Sequence, residues 1–291
     1  MNTDPMTLAQ LTASATARLT PHYGAGEARW MVRIMMEHLK GYTEVDLAIK
    51  GPDPVSDYLC TKVDETVRRL LDDEPIQYIF GSARFYGLTM KVTPATLIPR
   101  PETEELVEMI VRAAAGRTDL RVLDICTGSG CIALALGRNL VFPEITATDI
   151  SADALAVARE NARSLKVSVD FRREDALKMT PPAQPHYDII VSNPPYITPD
   201  EKAAMSDNVL RYEPQQALFV PQDEPLEFYT PIAAYAMKAL TPKGHLYFEI
   251  NPHYGSMLAA HLLSEGWQDV TVILDMYRKQ RFISATRPAD D

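Results

Sequence analysis

An Asn-Pro-Pro-Tyr tetrapeptide, Asn193-Pro194-Pro195-Tyr196, closes the apolar run Tyr187-Asp188-Ile189-Ile190-Val191-Ser192. Two successive prolines fix the backbone and remove two N–H donors, so the turn offers carbonyl acceptors without competing donors. The Asn side chain adds a further acceptor, and the Tyr adds a flat face. Acceptors beside an aromatic plane suit a planar –NH2 group, amide or amine. The competing reading is a rigid corner at the end of a strand.

A second segment favours the chemical reading. Val122-Leu123-Asp124-Ile125-Cys126-Thr127-Gly128-Ser129-Gly130 runs from a hydrophobic strand into a small-residue turn, and a helix opens near Cys131. Glycines there let the backbone approach a ligand, and a helix N-terminus exposes N–H groups. The spacing is not the G-x-G-x-x-G of a dinucleotide site. It resembles motif I of the class I S-adenosylmethionine-dependent methyltransferases, in which an acidic strand residue precedes a G-x-G turn. The resemblance implies that Asp124, Cys126, Thr127, Gly128, Ser129 and Gly130 form a cofactor site. Cys126 stands where the motif has its first glycine, which a negative φ would tolerate. Asp124 is expected to orient the N–H groups of the turn rather than to act as a base.

Asp149 ends the next predicted strand, where a carboxylate can accept from both hydroxyls of a ribose. It can equally serve the helix that starts at Ser151. Glu174-Asp175-Ala176 follows the third strand, where class I enzymes hold the adenine. Asp175 then either accepts from the adenine amino group or is a solvated loop acid. With Asn193 the set suits methyl transfer from a sulfonium to nitrogen. An amide nitrogen is a poor nucleophile, so the work is positioning, which can supply roughly 7–11 kcal/mol. Asn193 Oδ1 and the Pro194 carbonyl are suited to take the two N–H bonds, and Tyr196 to pack on the amide plane. Arg100 either faces solvent at a helix entry or lines the substrate mouth.

These side chains need a scaffold. The chain has 291 residues, 46% of them apolar, enough for about two domains with a sizeable core. No apolar run approaches the roughly 18 residues that span a bilayer, and no basic segment leads into an apolar one at the N-terminus. Three cysteines, Cys60, Cys126 and Cys131, lack metal-type spacing, and the six histidines are scattered. A reduced, cytosolic protein without a zinc site is expected. The net charge of −10 opposes broad attraction to nucleic acid.

Residues 1–73 read as a small helical bundle. Val32, Met35, Met36 and Leu39 share one helical stripe, and Leu59, Val63, Val67 and Leu70 another. Thr43 and Ser56 are candidate N-caps. Residues 74–98 read as an extended, hairpin-like connector, with both 75–81 and 85–92 extended. Pro101 opens a helix whose first turn is acidic. From 99 to 291, strands at 121–125, 145–149, 167–171, 187–192 and 244–250 alternate with helices at 130–139, 152–164, 226–240 and 254–266. Strands near 270–274 and 281–285 close an antiparallel edge. The fold class is therefore α/β: a Rossmann-like, mostly parallel sheet with helices on both faces, preceded by the helical bundle. Both motifs fall at the carboxyl ends of strands, where such sheets bind ligands.

Pro75-Ile76-Gln77-Tyr78-Ile79, Phe85-Tyr86-Gly87-Leu88, Leu97-Ile98-Pro99-Arg100-Pro101-Glu102-Thr103-Glu104, the glycine turn and Val191-Ser192-Asn193-Pro194-Pro195-Tyr196-Ile197 together resemble the HemK/PrmC family. Tyr212-Glu213-Pro214-Gln215-Gln216-Ala217-Leu218 is also similar to a family segment. The resemblance runs from about residue 75 to 250. It implies an S-adenosylmethionine-dependent protein-(glutamine-N5) methyltransferase acting on peptide chain release factors, with Asn193, Pro194, Pro195 and Tyr196 as catalytic turn and the N-terminal helices as substrate-binding domain. It implies no direct nucleic-acid or membrane partner. The segment after Glu249, glycine-containing in the family, reads Ile250-Asn251-Pro252-His253 here. Two other classes compete: a DNA or RNA amino-methyltransferase, since adenine-N6 enzymes share the tetrapeptide, and a methyltransferase-like binding protein without turnover. Acidic charge and the lack of a basic, aromatic-interleaved segment oppose the first. The presence of Gly128, Gly130, Asp149 and Asn193 opposes the second.

Overall fold

The computed structural model describes residues 5–290 and divides into two compact units. One runs to Gly81 and takes in Asp207–Tyr212; the other holds Ser82–Ser206 and the chain from Glu213 onward.

The first unit is helical. α1 (Leu8–Tyr23), α2 (Ala25–Lys40), α3 (Glu44–Ile49) and α4 (Asp57–Leu71) bury the two expected stripes against Leu8, Leu11 and Leu19. Thr43 and Ser56 cap α3 and α4, their hydroxyls accepting from the N–H of Asp46 and Leu59. α5 (Ile76–Phe80) corrects the extended reading of 75–81. Ile, Tyr and Phe are strand formers, but Pro75 starts a helical turn at φ −58° and Gly81 ends it in the left-handed region at φ 66°.

The second unit opens with a hairpin, β1 (Ser82–Phe85) and β2 (Leu88–Lys91). Tyr86 and Gly87 turn it with both φ positive, at 46° and 74°, the geometry that matches strand twist. α6 (Pro101–Ala113) starts on Pro101 and buries Thr103, Leu106, Val107 and Ile110 along one face.

The main sheet contains β3 (Arg121–Ile125), β4 (Glu144–Asp149), β5 (Asp170–Arg173), β6 (Tyr187–Ser192), β7 (Leu240–Glu249), β8 (Gln268–Leu274) and β9 (Gln280–Thr286), in the order β5-β4-β3-β6-β7-β9-β8. The pairs from β5 to β7 are parallel, and β9 runs antiparallel to both its neighbours, as the sequence suggested. α7 (Cys131–Asn139), α8 (Ala152–Leu165), α9 (Asp207–Tyr212), α10 (Tyr229–Ala239) and α11 (Gly255–Ser264) complete the chain, with α9 in the helical unit. β5 begins later than its apolar pattern indicates. Lys166 leaves α8 left-handed at φ 55°, and pairing with β4 starts at Asp170, while Val167 and Val169 pack on the core from coil.

Strand succession runs outward from β3 to β5, then reverses to β6 on the other side of β3. The crevice at such a reversal, outside the carboxyl ends, is where these sheets hold ligands. No helix of the described residues is long and apolar enough to cross a membrane.

Candidate active site

The carboxyl ends of β3, β4 and β6 open onto a cavity of about 300 Å³. Its wall includes residues 126–129 of the glycine turn, 148–151 after β4, 174–177 after β5, and Asn193 and Pro195 of the tetrapeptide. Residues 95–97, Pro99, Arg100 and Thr103 close it, with Pro214, Gln216, Ala217 and Phe228. All of these lie in the sheet unit. The volume is that of a small-molecule site.

The two glycines of the turn serve different ends. Gly128 is left-handed at φ 55°, and a β-carbon there would meet nothing within 4 Å. Gly130, at φ 83°, lets α7 approach α8, since a β-carbon would sit 3.2 Å from Ala158 and Leu134. Cys126 is also left-handed, at φ 62°, which corrects the negative φ expected of it. The turn dictates this: the next N–H, of Thr127, must reach the Thr148 carbonyl at 2.9 Å. A left-handed L-residue costs roughly 1–2 kcal/mol.

Asp124 lies behind the turn, fully buried and off the cavity wall. Its Oδ2 accepts from Thr127 Oγ1 at 2.5 Å and from the Ala133 N–H at 3.2 Å, fastening the turn to the first turn of α7. Among the described residues its Oδ1 has no hydrogen-bond partner. Burial pushes the carboxyl up to about 7, against the pull of those two bonds. Asn161 braces the same turn from α8, donating to the carbonyls of Ser129 and Lys91 at 3.0 Å.

Asp149 is on the wall. Its Oδ2 accepts from Gly128 N–H at 2.8 Å and its Oδ1 from Ser151 N–H at 2.9 Å. Burial raises its carboxyl above the usual range, and those N–H groups oppose the rise. The cap of α8 is Ser151, whose Oγ accepts from Ala154 N–H. Asp175 and buried Ala176 also line the cavity. Asp175 Oδ1 accepts from Leu177 N–H at 3.0 Å, which with Lys178 holds its carboxyl below the usual range.

Around the tetrapeptide, Ser192 Oγ donates to the Ile125 carbonyl at 2.7 Å, binding the ends of β6 and β3. Asn193 Nδ2 donates to Thr103 Oγ1 at 3.4 Å. Thr103 Oγ1 donates to Glu249 Oε2 at 2.6 Å, and Tyr196 Oη donates to Glu249 Oε1 at 3.2 Å. Asn251 Nδ2 donates to the Tyr196 carbonyl at 2.9 Å, so the Asn251 departure supports the turn. Pro194, Tyr196 and Gly130 do not line the cavity, although the sequence reading included them in the site. Arg100 does line it, as the residue before α6, with its guanidinium on buried Glu213.

The sequence reading did not single out Thr103, Glu213 or Glu249. Thr103 shares the buried stripe of Leu106, Val107 and Ile110, a signal readable at helical spacing. Glu249 ends the apolar run Leu246-Tyr247-Phe248, and the pairing of Ser192 with Phe248 sets it one step on, beside Asn193. Burial raises its carboxyl, opposed by the Thr103 bond and Arg281. Glu213 has no periodic pattern, and its signal is its place in the Tyr212–Leu218 segment that resembles the family.

The family model described as methyltransferase small domain matches residues 102–215, and the PrmC N-terminal domain matches residues 10–81. A release factor glutamine methyltransferase of Bacteroides thetaiotaomicron is 41% identical over 96% of this chain and 99% of its own length. One of Flavobacterium psychrophilum is 41% identical over 86% of this chain and 88% of its own. Among solved structures, the hMettl16 catalytic domain superposes with a TM-score of 0.55 at 18% identity, covering 81% of this chain and 83% of its own. A methyltransferase of Pyrococcus furiosus gives 0.51 at 16% identity, covering 77% and 99%. At these identities the two structures speak for the fold alone.

Proposed function

The chain belongs to the release factor glutamine methyltransferase family, and we propose that it transfers the methyl group of S-adenosyl-L-methionine to the side-chain amide nitrogen of a glutamine in a peptide chain release factor, supporting translation termination. One observation carries this reading: Asn193 shares a cavity wall with the glycine turn and Asp149. A nucleoside-type site and an acceptor for –NH2 thus face one chamber.

The residues present suit the cofactor. Gly128 leaves open space, and the Ser129 hydroxyl is buried on the wall next to it. Each oxygen of Asp149 holds one backbone N–H. A carboxylate has about four lone-pair sites, so acceptor capacity remains for ribose hydroxyls. Asp175 and Ala176 would lie along the adenine, and Cys126, Thr127 and Gly130 shape the turn beneath. When bound, the cofactor supplies a methyl group on a positively charged sulfur.

The protein's own part is to aim the amide. Asn193 Oδ1 and the Pro194 carbonyl accept the two N–H bonds of the target, turning the nitrogen lone pair toward the cofactor site. Pro195 bounds the chamber, and Tyr196 acts from below by fixing the turn to Glu249. A well-oriented pair of reactants gains roughly 7–11 kcal/mol over free encounter. A strong base is unnecessary: as the N–C bond formed, the methyl–sulfur bond would break to leave a neutral thioether, and the N–H, turned acidic, would pass its proton by way of the accepting oxygens to water. Arg100 borders the glutamine entry, and the helical unit is assigned to gripping the release factor. A cytosolic site of action fits such a substrate.

The test is mass spectrometry of a purified release factor after incubation with enzyme and S-adenosylmethionine. One added methyl on a glutamine is expected. An unmodified factor, with methyl transferred to DNA or RNA instead, would overturn the reading.

A further inference from the structure

We infer that Thr103 and Glu249 are positioning residues that decide which end of the Asn193 amide faces the cavity. The inference rests on the proposed role of Asn193 as acceptor for the target amide. Asn193 presents a carbonyl oxygen on one prong and an –NH2 on the other. Only the oxygen can accept an N–H; the opposite orientation would set donor against donor.

The choice between prongs is made outside the cavity's own chemistry. Glu249 is 1% exposed, and its two oxygens accept from Thr103 Oγ1 and Tyr196 Oη, the role of a carboxylate, which has no proton to give. The single proton of Thr103 Oγ1 is committed to Glu249 Oε2 at 2.6 Å. What Thr103 can offer Asn193 is therefore a lone pair, and Asn193 Nδ2 donates to it at 3.4 Å. Were the amide reversed, Oδ1 would face that lone pair with no proton between them. Among the described residues no donor reaches Asn193 Oδ1, the prong left for the target.

Glu249 has a second duty. Its other oxygen takes Tyr196 Oη at 3.2 Å, so one carboxylate ties both ends of the tetrapeptide. Thr103 enters from the first turn of α6 and Glu249 from the end of β7. The orientation of Asn193 is thus held by two elements outside its own strand. Neither residue needs to touch the nitrogen that is alkylated.

The test compares single-turnover methylation of a release factor at saturating S-adenosylmethionine by the full-length wild type, Thr103→Val, Thr103→Ser, Asn193→Asp and the Thr103→Val/Asn193→Asp double variant. Thr103→Val keeps the shape and lets the amide reverse, so the rate constant should fall by at least about thirtyfold, given how steeply rate depends on alignment. Thr103→Ser restores the hydroxyl and should stay within about threefold of wild type. A carboxylate at 193 sets an acceptor against Thr103 whichever oxygen faces it, so its orientation cannot depend on the Thr103 hydroxyl, and Thr103→Val should change Asn193→Asp far less than it changes wild type. Cofactor affinity, by calorimetry, should be alike in wild type and both Thr103 variants. If Asn193→Asp turns over too slowly to compare, the Ser-against-Val contrast at equal cofactor affinity decides. An equal loss from Thr103→Val in both backgrounds, or no loss in either, overturns the inference. A wild type that leaves the release factor unmethylated overturns the proposed function instead.

Discussion

Glu213 turns its buried carboxylate onto Arg100: Oε1 accepts from Arg100 Nη2 at 2.5 Å, while Oε2 accepts from the Ile98 N–H at 3.1 Å. One side chain therefore fixes both the backbone and the guanidinium of the segment that leads into α6. Arg100 is a third exposed, so the pair is only partly desolvated. Its worth lies in holding the wall as much as in Coulomb attraction.

Glu213→Ala should accordingly lower stability by about 1–3 kcal/mol, the usual effect of orphaning buried hydrogen-bonding groups. Glu213→Gln keeps an acceptor for Ile98 and should lose less. Urea unfolding of the three proteins measures the difference, and equal midpoints would show that Glu213 does not hold this segment.

Asp149→Ala removes the acceptor of the Gly128 and Ser151 N–H groups together with the proposed ribose contact. Affinity for S-adenosylmethionine should drop by more than tenfold, about 1.4 kcal/mol. Asp149→Asn retains one carbonyl oxygen and should fall between. Calorimetry reads this directly, and unchanged affinity in the Ala variant would remove Asp149 from the cofactor site.

Asp124 gives the fold a dependence on pH. Its carboxyl titrates near 7 when folded because burial disfavours the charge, whereas an unfolded Asp titrates near 3.9. Between those values the folded chain holds a proton that the unfolded chain has released. The contribution is therefore full below about pH 4 and is lost as pH rises toward 7. Asp124→Asn keeps an acceptor for Thr127 and Ala133 without titrating. From pH 5 to pH 8 the wild type should lose on the order of 2 kcal/mol relative to this variant. Thermal unfolding at the two pH values checks it, and parallel behaviour of both proteins would contradict it.

The parallel sheet and much of the cavity wall at its carboxyl edge were legible because apolar strands end at small-residue or proline turns. β3 and β6 stand where the hydrophobic runs put them, since a strand buried on both faces reads as a near-continuous apolar stretch. Less was legible where composition and geometry disagree. The α5 segment carries strand-forming side chains but is bounded by Pro75 and a left-handed Gly81. The φ of Cys126 is dictated by a hydrogen bond from its neighbour to β4, which its own identity does not disclose. Of the site, the wall residues on β3, β4 and β6 were readable from strand ends. That Thr103 and Glu249 meet there was not, because it depends on how α6 and β7 approach Asn193, 90 residues from Thr103 along the chain.

The account stands on Asn193 as acceptor for the target amide, and single-turnover methylation at saturating S-adenosylmethionine tests it most directly. Asn193→Ala deletes the acceptor and leaves an N–H of the bound amide unpaired, a loss of roughly 1–3 kcal/mol to which misalignment adds. The rate constant should fall by at least about a hundredfold, with cofactor affinity changing less. Asn193→Asp retains an acceptor and should keep more activity than Ala. If Asn193→Ala methylates the release factor at nearly the wild-type rate, the tetrapeptide is a rigid corner and the account is contradicted.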